Sequence, residues 1–365
     1  MRTVTSVFAS CLFLSTANFS IANAQEAEEI IIVGVTPNGT GLERDKIPFP
    51  IQTATSDDIQ NSNSLSIADF LRQNFSSVSV NNAQSNPLQP DVQYRGFTAS
   101  PLLGLAQGIA VYQNGVRVNE PLGDTVNWDL VPESAINGIT LSGGSNPLFG
   151  LNTLGGALLI DMKNGFNYEG REIEINTGSF GRNTASLQTG NNFDNGDNSF
   201  AYYANLQFFE EDGWRDYSSS ESINFYGSLD WQNQSSSLSV DYQRAGSTLF
   251  GNGASPVELL KIDREAIFTG PDITENDLQM FGLTGEYQLA ERGELHLKMY
   301  YRENTTDSIN GDSSEFSLCT FGGTQTLIEG FEEDDIEDIG LDDAVCDNQF
   351  PSIDQLQDFL NDSAI

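Results

Sequence analysis

Two patterns of apolar and polar positions divide this chain. From about Gly170 the two classes alternate residue by residue. In "REIEINTG", Ile173 and Ile175 share one face, with Glu172, Glu174 and Asn176 on the other. "AYYANLQFF" sets Tyr202, Ala204, Leu206 and Phe208 against Tyr203, Asn205, Gln207 and Phe209. The rhythm returns in "NTASLQTG", "SINFYGSLDW", "SLSVDYQR", "FGLTGEYQL" and "ELHLKMYY", which predicts seven strands. Residues 25 to about 166 read differently. "SIADFLRQNF" predicts a short helix capped by Ser66, with Asp69 at the capping-box spacing and Ile67, Phe70 and Leu71 on one face. "VSV" and "DVQYRGF" predict short strands. "GIAVYQNGVRVNE" predicts a hairpin turning at Asn114-Gly115.

A soluble β-sandwich would alternate too. Three features favour a membrane barrel instead. The runs are about as long as a tilted strand needs to cross a bilayer. Aromatics (Phe208, Phe209, Trp231, Tyr300, Tyr301) gather near strand ends, as interface girdles do. The connections mix short turns ("SFGRN", "QNQSS", "AERG") with longer ones ("NNFDNGDNS", "EDGWRDYSSSE", and 246–277). Bacterial single-chain barrels have an even number of strands, from about eight upward, so seven implies an N-terminal piece of a longer protein.

The ends and the charge refine this picture. Met1-Arg2, the apolar "VFASCLFL" and the small-residue site "ANA" read as a secretory signal peptide over 1–24. Lys+Arg 16 against Asp+Glu 52 gives a net charge of −36, which excludes nucleic acid as a partner. That charge serves solubility outside the cytoplasm or attracts cations. After cleavage Cys319 and Cys346 remain, and outside the cytoplasm one disulfide is expected between them. The acidic "FEEDDIEDIGLDD" between them has no regular metal-loop spacing. The only histidine is His296, on a strand, and no phosphate-binding loop is present. An enzyme is not expected, nor a metal or cofactor.

A third feature is "AEEIIIVGVTP", residues 27–37: four β-prone aliphatics behind two acids, close to the mature N-terminus. Taken with the rest, it gives the chain a resemblance to TonB-dependent outer-membrane receptors. "EEIIIVGV" resembles the TonB box, and "LRQNFSSVSV" the entry to the family's plug. "VQYRGF" resembles its RGF motif, and "IAVYQNGVRVNE" its plug hairpin, which usually has an acid where Asn114 stands. "LSGGSNPLFGLNTLGGALLIDMKNG" resembles the segment closing the plug, with Ser142-Gly143-Gly144 where the family often has Arg-Gly-Pro.

The resemblance implies an α+β plug domain followed by the first antiparallel strands of a transmembrane β-barrel, incomplete in this chain. It places a signal peptide at 1–24, a periplasmic segment with the TonB box at 25–48, the plug at 49–166, and a partial barrel with extracellular loops at 167–365. The whole family barrel has about 22 strands. The implied function is nutrient binding outside and import driven by the inner-membrane partner TonB.

The resemblance also assigns residues. Glu29, Ile30, Ile31, Ile32 and Val33 would pair with TonB as an added strand, unless they form the first plug strand. Arg95 and Gly96 would form a plug–barrel latch, with Arg95 buried against Glu172, Glu174, Asp230, Asp241 or Glu286, or a purely structural ion pair. With the hairpin turn toward the periplasm, "NNAQSNPLQP", "TASPLLGLAQG" and "PLGDTVN" face outward as the substrate floor. Gln107, Glu120, Asp124 and Trp128 are its candidate ligand contacts. The other partners implied are outer-membrane lipid and a nutrient of unknown class. A passive porin or adhesin would explain the strands but not the plug motifs. A TonB-dependent signal transducer would need a further folded domain before the plug.

Overall fold

The computed structural model describes residues 46–290 and 293–311, and the short strands 32–33, 42–43, 316–321 and 324–329. The expected signal peptide, Glu29, Ile30, Ile31, the acidic stretch and Cys346 lie outside the described residues. Strands β1 (Ile32–Val33) and β2 (Leu42–Glu43) form an antiparallel pair, Ile32 opposite Glu43 and Val33 opposite Leu42. These two residues of the aliphatic stretch therefore already have strand partners.

The domain that follows opens with β3 (Ile51–Thr55), α1 (Ser56–Ser62) and α2 (Ile67–Asn74). The α1 segment is polar, buries no residue, and is held by local bonds. Thr55 accepts from the Asp58 amide and Asp58 accepts from the Thr55 amide, a complete capping box. Helix α2 buries Ile67, Ala68, Phe70 and Leu71, and Ser66 accepts the Asp69 amide at 3.2 Å. Asp69 does not return that bond. It pairs with Arg72 at 3.0 Å, and Glu133 accepts the Ile67 amide at 2.8 Å instead.

Two small sheets complete the domain. Strands β4 (Val78–Asn81), β5 (Asp91–Tyr94) and β6 (Phe97–Ala99) form one antiparallel sheet. The stretch "DVQYRGF" is thus two strands, because Arg95 (φ +52°) and Gly96 (φ +86°) make a left-handed turn inside it. Strands β7 (Ile109–Gln113), β8 (Val116–Arg117), β9 (Ile136–Gly143) and β10 (Gly156–Met162) join β3 in the order β3-β9-β10-β7-β8, with β7 and β10 parallel. Asn114 (φ +46°) and Gly115 (φ +75°) turn the hairpin as predicted. Every residue of β7 is buried, which is why it reads as a continuous run rather than an alternation. Phe70, Leu71, Val111, Trp128, Ile139, Leu158 and Ile160 form the main core, and Ala110, Tyr112, Phe149, Ala157 and Leu159 the opposite face.

The seven predicted alternating strands are β11 (Gly170–Thr177), β12 (Asn183–Asn195), β13 (Asn198–Glu211), β14 (Ser220–Gln232), β15 (Ser236–Gly251), β16 (Asp272–Ala290) and β17 (Gly293–Ile309). A short helix α3 (Val257–Ile262) interrupts the β15–β16 connection, and β18 (Phe316–Phe321) pairs with β19 (Thr324–Glu329) apart from the sheet. The seven strands pair antiparallel in chain order, a wall that does not close among the described residues. One expected connection is corrected. "NNFDNGDNS" is no long loop: pairing runs to Asn195–Asn198, Phe193 stacks on Phe200 at 5.6 Å, and only Gly196 and Asp197 remain outside the ladder. The connections 196–197, 233–235 and 291–292 thus lie at one end of the wall. The connection 178–182, the expected short turn "SFGRN", lies at the other end with the longer 212–219 and 252–271, so short and long connections are not fully segregated.

One face of the wall exposes Ile173, Ile175, Leu187, Phe208, Leu229 and Leu297, while the other buries Gln188, Asn205, Asn224, Asp241 and Gln243. A soluble sandwich would cover such an apolar face; a barrel wall turns it to lipid. Among the described residues no helix is long and apolar enough to cross a membrane.

The tightest backbone approach in the small domain is at Gly156. Its φ is +149°, and a Cβ there would stand 2.2 Å from the Ser142 carbonyl oxygen. Gly156→Val is expected to destabilise this domain by about 2–4 kcal/mol. Urea-dependent limited proteolysis reads this as earlier cleavage within 49–162.

Candidate functional site: the plug–wall interface

The alternation of the wall decides the chemistry of its contact with the domain beside it. With the apolar residues facing out, the inner face offers amides and hydroxyls, and the domain docks on these. Gln113 Nε2 donates to Gln243 Oε1 at 2.6 Å, and Gln243 Nε2 to the Leu130 carbonyl at 2.5 Å. Asn114 Nδ2 donates to the Tyr226 hydroxyl at 2.9 Å. Ser134 bonds Asn205 and Gln207. Lys163 Nζ donates to the Ser134 carbonyl at 2.9 Å and to Gln188 at 3.1 Å. Apolar contact is made where Val116 and Leu130 meet Ala245, Leu278 and Met280, and where Tyr203 and Tyr226 of the wall join the domain's main core.

Besides Lys163, further charged contacts punctuate this surface. Arg302 of β17 grips Glu120 with two bonds, at 2.9 and 2.7 Å, and Asn304 adds a third at 3.0 Å. Lys298, also on β17, donates to the Asn114 carbonyl and to Thr284. Asp129 is buried, and its Oδ2 accepts from Ser247 at 2.6 Å and Asn276 at 2.9 Å. Its Oδ1 has no partner among the described residues. Burial raises the Asp129 carboxyl to about 6 against those two hydrogen bonds. Burial likewise raises Glu133 to about 7, although as a residue it is only partly buried; its enclosed carboxyl, bonded to the Ile67 amide, is the part that counts.

The residues expected from sequence are placed as follows. Glu120 is at the interface, paired with Arg302 rather than open to a ligand. Asp124 is tied to Arg117 at 2.7 Å. Gln107 is buried and staples its own loop, accepting the Ser100 amide at 2.9 Å. Trp128 is a correction: it is 3% exposed, in the core, donating to the Ala99 carbonyl at 3.2 Å. Arg95 is another. It is exposed on its turn, 5.1 Å from the Tyr94 ring, and none of Glu172, Glu174, Asp230, Asp241 or Glu286 pairs with it. Cys319 stands on β18; its expected partner Cys346 lies outside the described residues. His296 Nδ1 and Nε2 each face a different carboxylate, Glu286 at 3.4 Å and Glu294 at 3.3 Å. One ion cannot use both nitrogens of a ring, and all three residues are exposed.

Asp129, Glu133, Lys298 and Arg302 were not singled out from sequence. The available signal was the scarcity of cations: Lys298 and Arg302 fall on the polar face of a predicted strand in a chain with 16 Lys+Arg.

Two outcomes are expected. Glu120→Ala strands Arg302 and should weaken docking by about 3–5 kcal/mol, while the charge swap Glu120→Arg with Arg302→Glu should recover part of it. Protease accessibility of the Asn114 turn in purified protein reads both. Asp129 and Glu133 bind protons more tightly folded than unfolded, so stability is gained as pH falls through the window from the ordinary carboxylate range to about 6–7. Urea resistance should therefore be greater near about pH 5 than about pH 8, and Asp129→Asn should flatten the difference.

Comparison with known proteins agrees with this architecture. Residues 43–157 match the family model of the TonB-dependent Receptor Plug Domain. No curated protein matches the chain by sequence. Among solved structures, the ferric preacinetobactin receptor BauA of Acinetobacter baumannii aligns at 17% identity and TM-score 0.55, over 74% of this chain and 40% of its own. The ferric yersiniabactin uptake receptor FyuA of Yersinia pestis aligns at 12% and 0.57, over 73% and 42%. The ferric-catecholate import receptor Fiu of E. coli K12, in its closed form, aligns at 14% and 0.59, over 80% and 42%. The chain thus spans about two fifths of the length of these structures. Residues 43–157 are thus a TonB-dependent receptor plug domain, and the domain docked on a wall of consecutive antiparallel strands has the fold of the matching part of these structures.

Proposed function

We propose that this chain belongs to an outer-membrane receptor that binds a scarce nutrient at the cell surface and imports it with energy from TonB. The observation that carries this reading is the largely polar docking of the plug. A plug fixed permanently would gain most from apolar burial. This one is held by hydrogen bonds that water can replace, each worth about 0.5–1.5 kcal/mol net.

The aliphatic stretch at 29–33 is the proposed grip. The β1–β2 pairing spans two residue pairs, so a TonB strand can take the place of Leu42–Glu43 and extend the ladder to Glu29, Ile30 and Ile31. Passive pore function would need neither this strand nor a plug.

Ile31→Pro removes an amide donor and fixes φ. It is expected to weaken binding of the purified periplasmic TonB domain by at least about tenfold, roughly 1.4 kcal/mol, with the plug's protease resistance unchanged. Unaltered binding would exclude this strand as the grip.

A further inference from the structure

A buried carboxylate lies where the plug meets the wall. Asp129, on the connection between β8 and β9, is 3% exposed and touches three adjoining wall strands. Asn224 of β14 donates Nδ2 to its backbone carbonyl at 3.0 Å. Ser247 of β15 and Asn276 of β16 donate to its Oδ2. Two oxygens in this contact have no partner among the described residues, Asp129 Oδ1 and Asn224 Oδ1, and both are acceptors only. Turning the Asn224 amide does not cure this, because a carbonyl only accepts and Nδ2 must face it. Both oxygens are enclosed, and β14, β15 and β16 each have paired neighbours on both sides. Strands beyond β11 or β17 therefore cannot reach them.

The charge is unbalanced as well. Among the described residues no Lys, Arg or His pairs with Asp129: Arg302, the cation of this part of the interface, is taken by Glu120. The charged group that acts on Asp129 is Glu120 itself, of the same sign. Above about pH 6 a proton no longer relieves the carboxylate. A bridging water would satisfy the two lone oxygens and leave the buried charge uncompensated, which is costly.

We propose that Asp129 Oδ1 and Asn224 Oδ1 are ligands of a sodium ion bound between plug and wall. Carboxylate and amide oxygens are the donors a hard cation takes. One carboxylate balances one positive charge, whereas a divalent ion would leave a buried excess. The plug supplies one ligand and the wall the other, so the site exists only while the plug is docked. Sodium therefore binds the docked state alone and holds it by mass action. Release of the plug is also release of the ion, which ties that step to the sodium concentration. The proposal concerns docking and stands apart from the import reading.

The test uses the protein as its gene encodes it, purified in detergent at about pH 8, with choline chloride replacing sodium chloride at constant ionic strength. Raising sodium from trace to about 0.3 M should slow proteolytic cleavage at the Asn114 turn by at least about fivefold. Asp129→Asn removes the charge and keeps the shape, so it should be cleaved at one rate in both salts. Asn224→Ser shortens one ligand and keeps the carboxylate, and should need at least about threefold more sodium for half the protection. Equal cleavage of the parent protein in both salts would show that water or a proton alone serves the contact and would overturn the proposal. A sodium effect that survives Asp129→Asn unchanged would overturn it too.

Discussion

The plug is held to the barrel wall largely through amides and hydroxyls, and much of the molecule follows from that constraint. A wall whose outer face must be apolar has only its alternate residues left for the inside, and these are Gln, Asn, Ser and Tyr. Any domain seated there must bring matching donors and acceptors or leave them orphaned at a cost of about 1–3 kcal/mol each. The plug does so through Gln113, Asn114, the Leu130 carbonyl and Ser134. Its own folding energy lies elsewhere, in the core shared by α2 and its two sheets. Stability of the plug is thus carried mainly by apolar burial and its attachment mainly by polar contacts, with Tyr203 and Tyr226 of the wall sharing in both.

Charge is used sparingly within that scheme. The wall supplies two cations, Lys298 and Arg302, and the plug supplies Glu120 and two backbone or buried acceptors. A half-buried Arg–Glu pair discriminates between docked and undocked states more sharply than neutral bonds do, since separating it exposes two unsatisfied ions to a changed environment. Burial raises the Asp129 carboxyl, so docking is expected to strengthen as pH falls toward about 6. The second oxygen of that carboxyl is unpartnered when ionised and relieved when protonated.

What could be read in advance was whatever rests on local period and local turns. Seven strands, the Asn114-Gly115 hairpin and the Ser66 cap are all settled by residues within a few positions of each other. Helix α1 was not legible because its support is a capping box without an apolar stripe. The break at Arg95-Gly96 was hidden because an arginine seldom adopts a positive φ. The interface was the least legible part. Glu120 and Arg302 are separated by 182 positions and meet only where the plug packs against the wall. Trp128 was expected on the floor because it follows the loop "PLGDTVN", yet its ring is buried in the core.

The central claim is that the plug is a separable body, bound to the wall more weakly than either is bound to itself. Single-molecule pulling on the N-terminal segment, with the wall anchored in a bilayer, measures this without any ligand. The account predicts that the plug leaves the wall in early low-force steps while β11–β17 stay paired. Rupture of wall strands before or together with plug release would contradict it.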